Sequence, residues 1–236
     1  MMLVMLVSGI PVAPLAAQFE GTINMRIPAL AGAGDGDMTM KIAIKGDMQA
    51  TTMQMPASAG PMAGMEMRTI LDAKANTATV LMPLPPGMAA MAGMGNAKGI
   101  KSVTNLSDIT VDLGAGAGKS DTKRLGTKQK IAGFECDDYE ITQPNAPPTR
   151  ACVSHALGRF VFPQTGMGMG ARSGSPPGWA NAFGKDPGFP LKVWDRDGNV
   201  VMEITGVAKG TVAPNVFEIP DGYMDMSGMM RGRGRP

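Results

Sequence analysis

The sequence predicts a mainly β fold, a single antiparallel sheet that is strongly curved or barrel-like. Three observations predict it. Short runs of alternating apolar and polar residues recur along most of the chain, the signature of half-buried strands. Turn residues bound these runs, and the chain carries 32 Gly and 19 Pro to supply them. Helical periodicity is weak everywhere, with candidates only at Met88–Met94 and Trp179–Phe183. A length of 236 residues suffices for one core of sandwich or barrel size and does not demand a second domain.

The strand candidates follow in order. FEGTINMRI places Phe19, Gly21, Ile23, Met25 and Ile27 on one face and Glu20, Thr22, Asn24 and Arg26 on the other. DMTMKIAIKGD does the same with Met38, Met40, Ile42 and Ile44, and Gly46 turns it. Asp47–Met55, Met65–Asp72 and Thr77–Met82 are short and bounded by turn residues. Val103–Leu113, Phe134–Thr142 and Arg150–His155 read similarly. LKVWDRDGNVVMEITGV is the clearest hairpin, with Asp197-Gly198 as its turn signal. Val216–Ile219 closes the series. Pro83–Lys98 and Gln164–Gly188 read as long irregular loops.

The N-terminus MMLVMLVSGIPVAPLAAQFEG reads as a secretory signal over residues 1–17. An apolar run is followed by small residues suited to a signal peptidase, although no Lys or Arg precedes the run. After Ala17 no apolar stretch approaches the ~20 residues a membrane span needs. The mature product is therefore expected to be periplasmic or secreted. Residues 18–226 form the expected domain, and 227–236, ending RGRGRP, a basic tail. The net charge of +2 gives no electrostatic case for nucleic acid.

GFECDDYEITQPNAPPTRACVSHALG holds both cysteines and the only histidine. A hairpin centred near Pro144 sets Cys136 directly opposite Cys152 and lets Asp138 face Arg150. Opposed strand positions are about 4.5–5.5 Å apart, a gap a disulfide spans. An even pair of cysteines in an exported chain favours that bridge. A zinc site takes four ligands, or three plus water, and two Cys with His155 and no CxxC spacing match it poorly, while an oxidised Cys152 cannot act as a nucleophile. No catalytic residue and no metal ligand set is therefore assigned, no cofactor is expected, and the chain is read as no enzyme.

Two further motifs fail on spacing. GAGAGKS resembles a phosphate loop, but the first required Gly falls on Leu113, and a loop between strands is the plain reading. DRDGN resembles the start of a calcium loop, but Val200 and Gly206 stand where Gly and Glu are needed. Methionine is the compositional oddity, with 23 residues and repeated pairs at Met38/Met40, Met53/Met55, Met65/Met67, Met167/Met169 and Met224/Met226. On a strand each pair shows two thioethers to one face. Such a face fills an adaptable apolar core or groove, suits flexible acyl chains, or offers soft donors to Cu(I).

FEGTINMRI, MKIAIKGDMQATTMQM, RTILDAKANTATVLMP, GTKQKIAGFECDDYEI, ACVSHALG and VFEIPDGY, in this order, resemble the domain-of-unknown-function 4412 family of exported bacterial proteins. The resemblance implies an open half-barrel similar to periplasmic lipoprotein carriers, with one or two short helices or long loops over the concave face. It also implies a non-enzymatic binding protein for a lipid or lipoprotein acyl chain, with room for an envelope protein partner. The expected lining is Ile23, Met25, Met38, Met40, Ile42, Ile44, Val80 and Met82. A Met-based copper(I)-binding protein is the alternative.

Overall fold

The computed structural model describes residues 19–28, 36–55, 57, 60, 63–85, 87–91, 93–106, 121–143, 146–158 and 188–227. The expected signal segment, GAGAGKS, the Trp179–Phe183 helix candidate, Met167/Met169 and the expected basic tail RGRGRP lie outside them.

The described residues form one sheet of twelve strands. These are β1 (Gly21–Ile27), β2 (Met38–Lys45), β3 (Met48–Gln54), β4 (Glu66–Asp72), β5 (Thr77–Pro83), β6 (Gly99–Asn105), β7 (Asp121–Ile131), β8 (Phe134–Gln143), β9 (Ala146–Ser154), β10 (Phe189–Trp194), β11 (Val200–Lys209) and β12 (Tyr223–Asp225). Their spatial order is β12-β6-β5-β4-β3-β2-β1-β11-β10-β9-β8-β7. The sheet is curved and unclosed, an open half-barrel. Every neighbouring pair is antiparallel except β12, which lies parallel to β6. One helical turn, α1 (Met88–Met91), sits in the connection from β5 to β6.

Both faces of the sheet are apolar in its middle. On the first, Ile23 opposes Ile42 and Met25 opposes Met40. They belong to a buried cluster that runs through Ile204, Met202 and Val193 to Val153 and Ile141. Each large side chain fully buried there contributes about 1.5–3 kcal/mol. On the second face a smaller cluster joins Ala43, Ala50, Ile70 and Leu81, covered by Val212 and Phe217 from the segment after β11. Lys45 and Arg68 donate to the carbonyls of Val212 and Val216 at 3.3 Å each, and the Val212 N–H donates to Glu20 at 3.0 Å. This returning segment then lays β12 beside β6. Only glycine allows that approach, because a Cβ on Gly99 would stand 2.5 Å from the Tyr223 ring and 2.7 Å from the Met82 carbonyl oxygen.

Four sequence expectations change. Residues 214–217 form a 3-10 turn rather than part of a strand Val216–Ile219. Pro214 sets up the turn, and burial of Phe217 on the second face offsets the ladder bonds a strand would have made. The final strand is β12 instead. β6 begins at Gly99, four residues before the expected Val103. The sequence pattern predicts no strand at β7: nearly every residue of DTKRLGTKQKI is exposed, so no apolar alternation marks it. β9 begins at Ala146 and includes Pro147 and Pro148, which precede the segment paired with β10. They fall between the ladder pairs Gln143↔Ala146 and Ile141↔Thr149 and before the residues paired with β10, so their missing N–H groups cost no ladder bond to β10.

An ion-pair chain on the second face ties β1, β11 and β10. Arg26 Nε donates to Glu203 at 2.8 Å and Lys192 Nζ stands 3.3 Å from the other carboxylate oxygen. The hydrogen bond from Arg26 and the approach of Lys192 hold the Glu203 carboxyl below its ordinary value of 4.5 against the opposing effect of burial. Because the folded pKa is depressed, Glu203 stabilises the fold above its unfolded value, and that contribution disappears as pH falls through the lower folded value. Melting temperature should therefore fall as pH drops below the ordinary glutamate value of 4.5. Glu203→Gln should show a lower melting temperature at neutral pH and a flatter acid limb, read by circular dichroism. Parallel curves for the two proteins would show that Glu203 is not part of the acid response.

Candidate functional site

The eight expected lining residues all lie on the first face, and burial divides them. Ile23, Met25, Met40, Ile42 and Ile44 are buried in the main cluster. Met38, Val80 and Met82 are half-buried, at the start of β2 and on β5. The face thus grades from packed core at β1 and β2 to partly open surface at β5 and β6, where Ile100 opposes Met82.

Strand register adds residues that the sequence did not single out as lining. Met25 opposes Met40, Met40 opposes Met53, and Met53 opposes Met67. Arg68 opposes Leu81, so Met82 continues the line on β5. Five thioether side chains therefore cross five adjacent strands in one row. Met25, Met40 and Met67 are buried, while Met53 and Met82 are half-buried. The next row along the same face reads Ile23, Ile42, Thr51, Thr69 and Val80. Thr51 and Thr69 are buried with Gln49, whose Nε2 donates to Thr51 Oγ1 at 3.3 Å. The face is thus greasy along its methionine row and polar beside it on β3 and β4. The pairs MQM and MEM carried a trace of this pattern, but a row perpendicular to the strands needs the hairpin registers to appear.

The cysteine stretch forms the expected bridge with a different register. Cys136 and Cys152 are disulfide-bonded, with Cα atoms 5.3 Å apart. Cys152 opposes Asp138 rather than Cys136, and Arg150 opposes Glu140. The turn pair Gln143 and Ala146 is offset by one residue from the expected centre, and an irregularity between Ile141 and Gln143 adds one more. The two offsets together keep parity, so all four side chains remain on the same face, and the sheet's twist brings the diagonal partners together. Arg150 Nη2 accordingly donates to Asp138 Oδ2 at 2.6 Å across a diagonal of the same sense. Thr127 Oγ1 donates to the same oxygen at 2.6 Å, and Gln129 Nε2 donates to Oδ1 at 2.8 Å. Asp138 is fully buried, and these donors come from β7 and β9. Arg150 also lies over the Trp194 ring of β10, 5.2 Å from the centroid.

The DRDGN turn satisfies its own carboxylate. Asp195 Oδ1 accepts from the N–H groups of Asp197 and Asn199 at 2.9 and 2.8 Å, and Oδ2 accepts from Asn199 Nδ2 at 3.0 Å. These bonds, led by that from the Asn199 side chain, hold the Asp195 pKa below its ordinary value. Among the described residues, no three His, Cys, Asp or Glu side chains gather as metal ligands, and no helix is long and apolar enough to cross a membrane.

Solved structures with a similar chain path include PNGF-II, 13% identical with a TM-score of 0.48, covering 91% of this chain and 32% of that one. An uncharacterized conserved protein from Thermus thermophilus is 9% identical with a TM-score of 0.43, covering 90% and 91%. The MucA/MucB complex of Pseudomonas aeruginosa gives 12% and 0.39, covering 86% and 55%. The chain spans about a third of the first of these and about half of the third. At these levels they assign neither ligand nor activity. No curated protein matches the sequence. The pattern described as "Domain of unknown function (DUF4412)" matches residues 19–223, nearly all of the described fold, and the chain belongs to that family.

Proposed function

We propose that the protein is an exported, non-enzymatic binding protein that holds a hydrophobic ligand, a lipid or lipoprotein acyl chain, against the first face of its half-barrel. The observation that carries this reading is the burial gradient along one continuous face, from buried Ile23 and Ile42 to half-buried Val80, Met82 and Ile100. An unclosed sheet leaves such a face accessible from its edge, and unbranched Met side chains adapt to flexible chains. Export is supported by the disulfide, which persists in oxidising compartments, and by the apolar N-terminal segment.

Lipid extraction and mass spectrometry of protein purified from an exporting host test the proposal. Acyl lipid should co-purify. Val80→Asp and Met82→Asp, each placing a charge on the half-buried part of the face, should reduce it by roughly fivefold, the equivalent of about 1 kcal/mol. A lipid-free protein that also fails to bind a fluorescent fatty acid at micromolar concentration would overturn it.

A further inference from the structure

We propose that Met40, Met53 and Met67 form a binding site for Cu(I). Three consecutive strands place these residues directly opposite one another on one face, with Met25 and Met82 extending the row on either side. Adjacent strands lie about 4.8 Å apart. A metal–sulfur bond of about 2.3 Å lets one ion bridge two sulfurs up to roughly 4.6 Å apart. The unbranched Met side chain has enough torsional freedom to bring its sulfur in from each flanking strand towards a central ion.

The donor chemistry selects the ion. Thioethers are neutral and soft, which suits Cu(I) and disfavours zinc or hard divalent cations. Competing thiol and imidazole donors are scarce in this chain. Both cysteines are consumed by the disulfide, and His155 is the single histidine, beyond the end of β9. Thioether sulfur is thus the donor that survives in an oxidising compartment, where thiols pair. Burial supports retention, because Met40 and Met67 are buried while half-buried Met53 lies between them as the route of entry.

Composition along the face separates this reading from simple packing. The adjacent row uses the β-branched Ile, Thr and Val that strands favour. The row in question uses Met at every one of five positions, a residue with more side-chain freedom to lose on burial than Ile or Val. A core requirement alone would not select sulfur five times in register.

Anaerobic titration of the disulfide-bonded protein with Cu(I), in competition with a chromogenic chelator, tests the site. One Cu(I) should bind per chain with a dissociation constant tighter than about 1 μM. X-ray absorption should show a sulfur-only first shell. Met53→Leu, which conserves volume and leaves the fold intact, should weaken binding by roughly tenfold or more. Met40→Leu/Met53→Leu/Met67→Leu should abolish it, whereas Met48→Leu, on the opposite face, should leave it unchanged. Nitrogen or oxygen in the shell, binding weaker than micromolar, or affinity that survives Met53→Leu would each overturn the proposal. The chelator readout is independent of lipid, so its result stands apart from that of the lipid assay.

Discussion

Replacing Cys136 and Cys152 together with alanine should lower stability by about 3 kcal/mol, the chain-entropy value for freeing a loop of this length. For a domain of this size that corresponds to a fall in melting temperature of about 6–12 °C. Alanine is the proper replacement because both positions are buried, and serine would add the desolvation cost of two hydroxyls with no assured partners. The bridge closes the β8–β9 hairpin, whose turn end is weakly paired: the ladder shifts after Ile141, and Pro147 and Pro148 follow on β9. A cross-link stabilises most where local pairing defines the loop least. Wild-type protein under strong reductant should melt close to the double variant. A difference below about 1 kcal/mol between oxidised and reduced protein would mean that pairing along Asp137–Ile141 already constrains the hairpin in the unfolded ensemble.

The parts of this fold that are legible in the sequence are those where one face is buried and the other wet. In β1 the burial of Gly21, Ile23 and Met25 alternates with more exposed neighbours as written in GTINM. β7 illustrates the opposite case. It is an edge strand whose residues are nearly all exposed, so Lys, Thr and Gln suffice there and period-two patterning vanishes. Residues 214–217 escape the pattern for a different reason: a short apolar run does not distinguish a strand from a turn that drops one aromatic side chain onto a sheet. The disulfide can be inferred because parity alone puts both cysteines on one face. Its two-residue register difference cannot, since the offsets at the turn and at the irregularity each break parity and together restore it. The methionine row lies at the far end of this scale. Each thioether pair is local in sequence, whereas their alignment across five strands depends on four hairpin registers at once.

Arg150→Ala should cost about 2–3 kcal/mol, while Asp138→Asn should cost less than about 1 kcal/mol. The order is the informative part. Asp138 is fully buried, and Arg150, though half exposed itself, is the one cation among the described residues that bonds its carboxylate. Removing the guanidinium leaves that carboxylate among the neutral donors Thr127 and Gln129, with a buried charge no longer paired. It also removes the cation from the face of Trp194, detaching β9 from a contact with β10. An asparagine at position 138 removes the buried charge instead. Its carbonyl, standing where Oδ2 stands, can accept from both Arg150 and Thr127, and its amide can donate to Gln129 once that side chain rotates to present its oxygen. Because Thr127 and Gln129 reach this carboxylate from β7, the loss should also be local. Hydrogen exchange along residues 121–131 should accelerate in Arg150→Ala before the rest of the sheet does. Equal costs for the two variants, or unchanged exchange in β7, would show that the edge strand is held by its ladder to β8 alone and that the buried carboxylate is incidental to it.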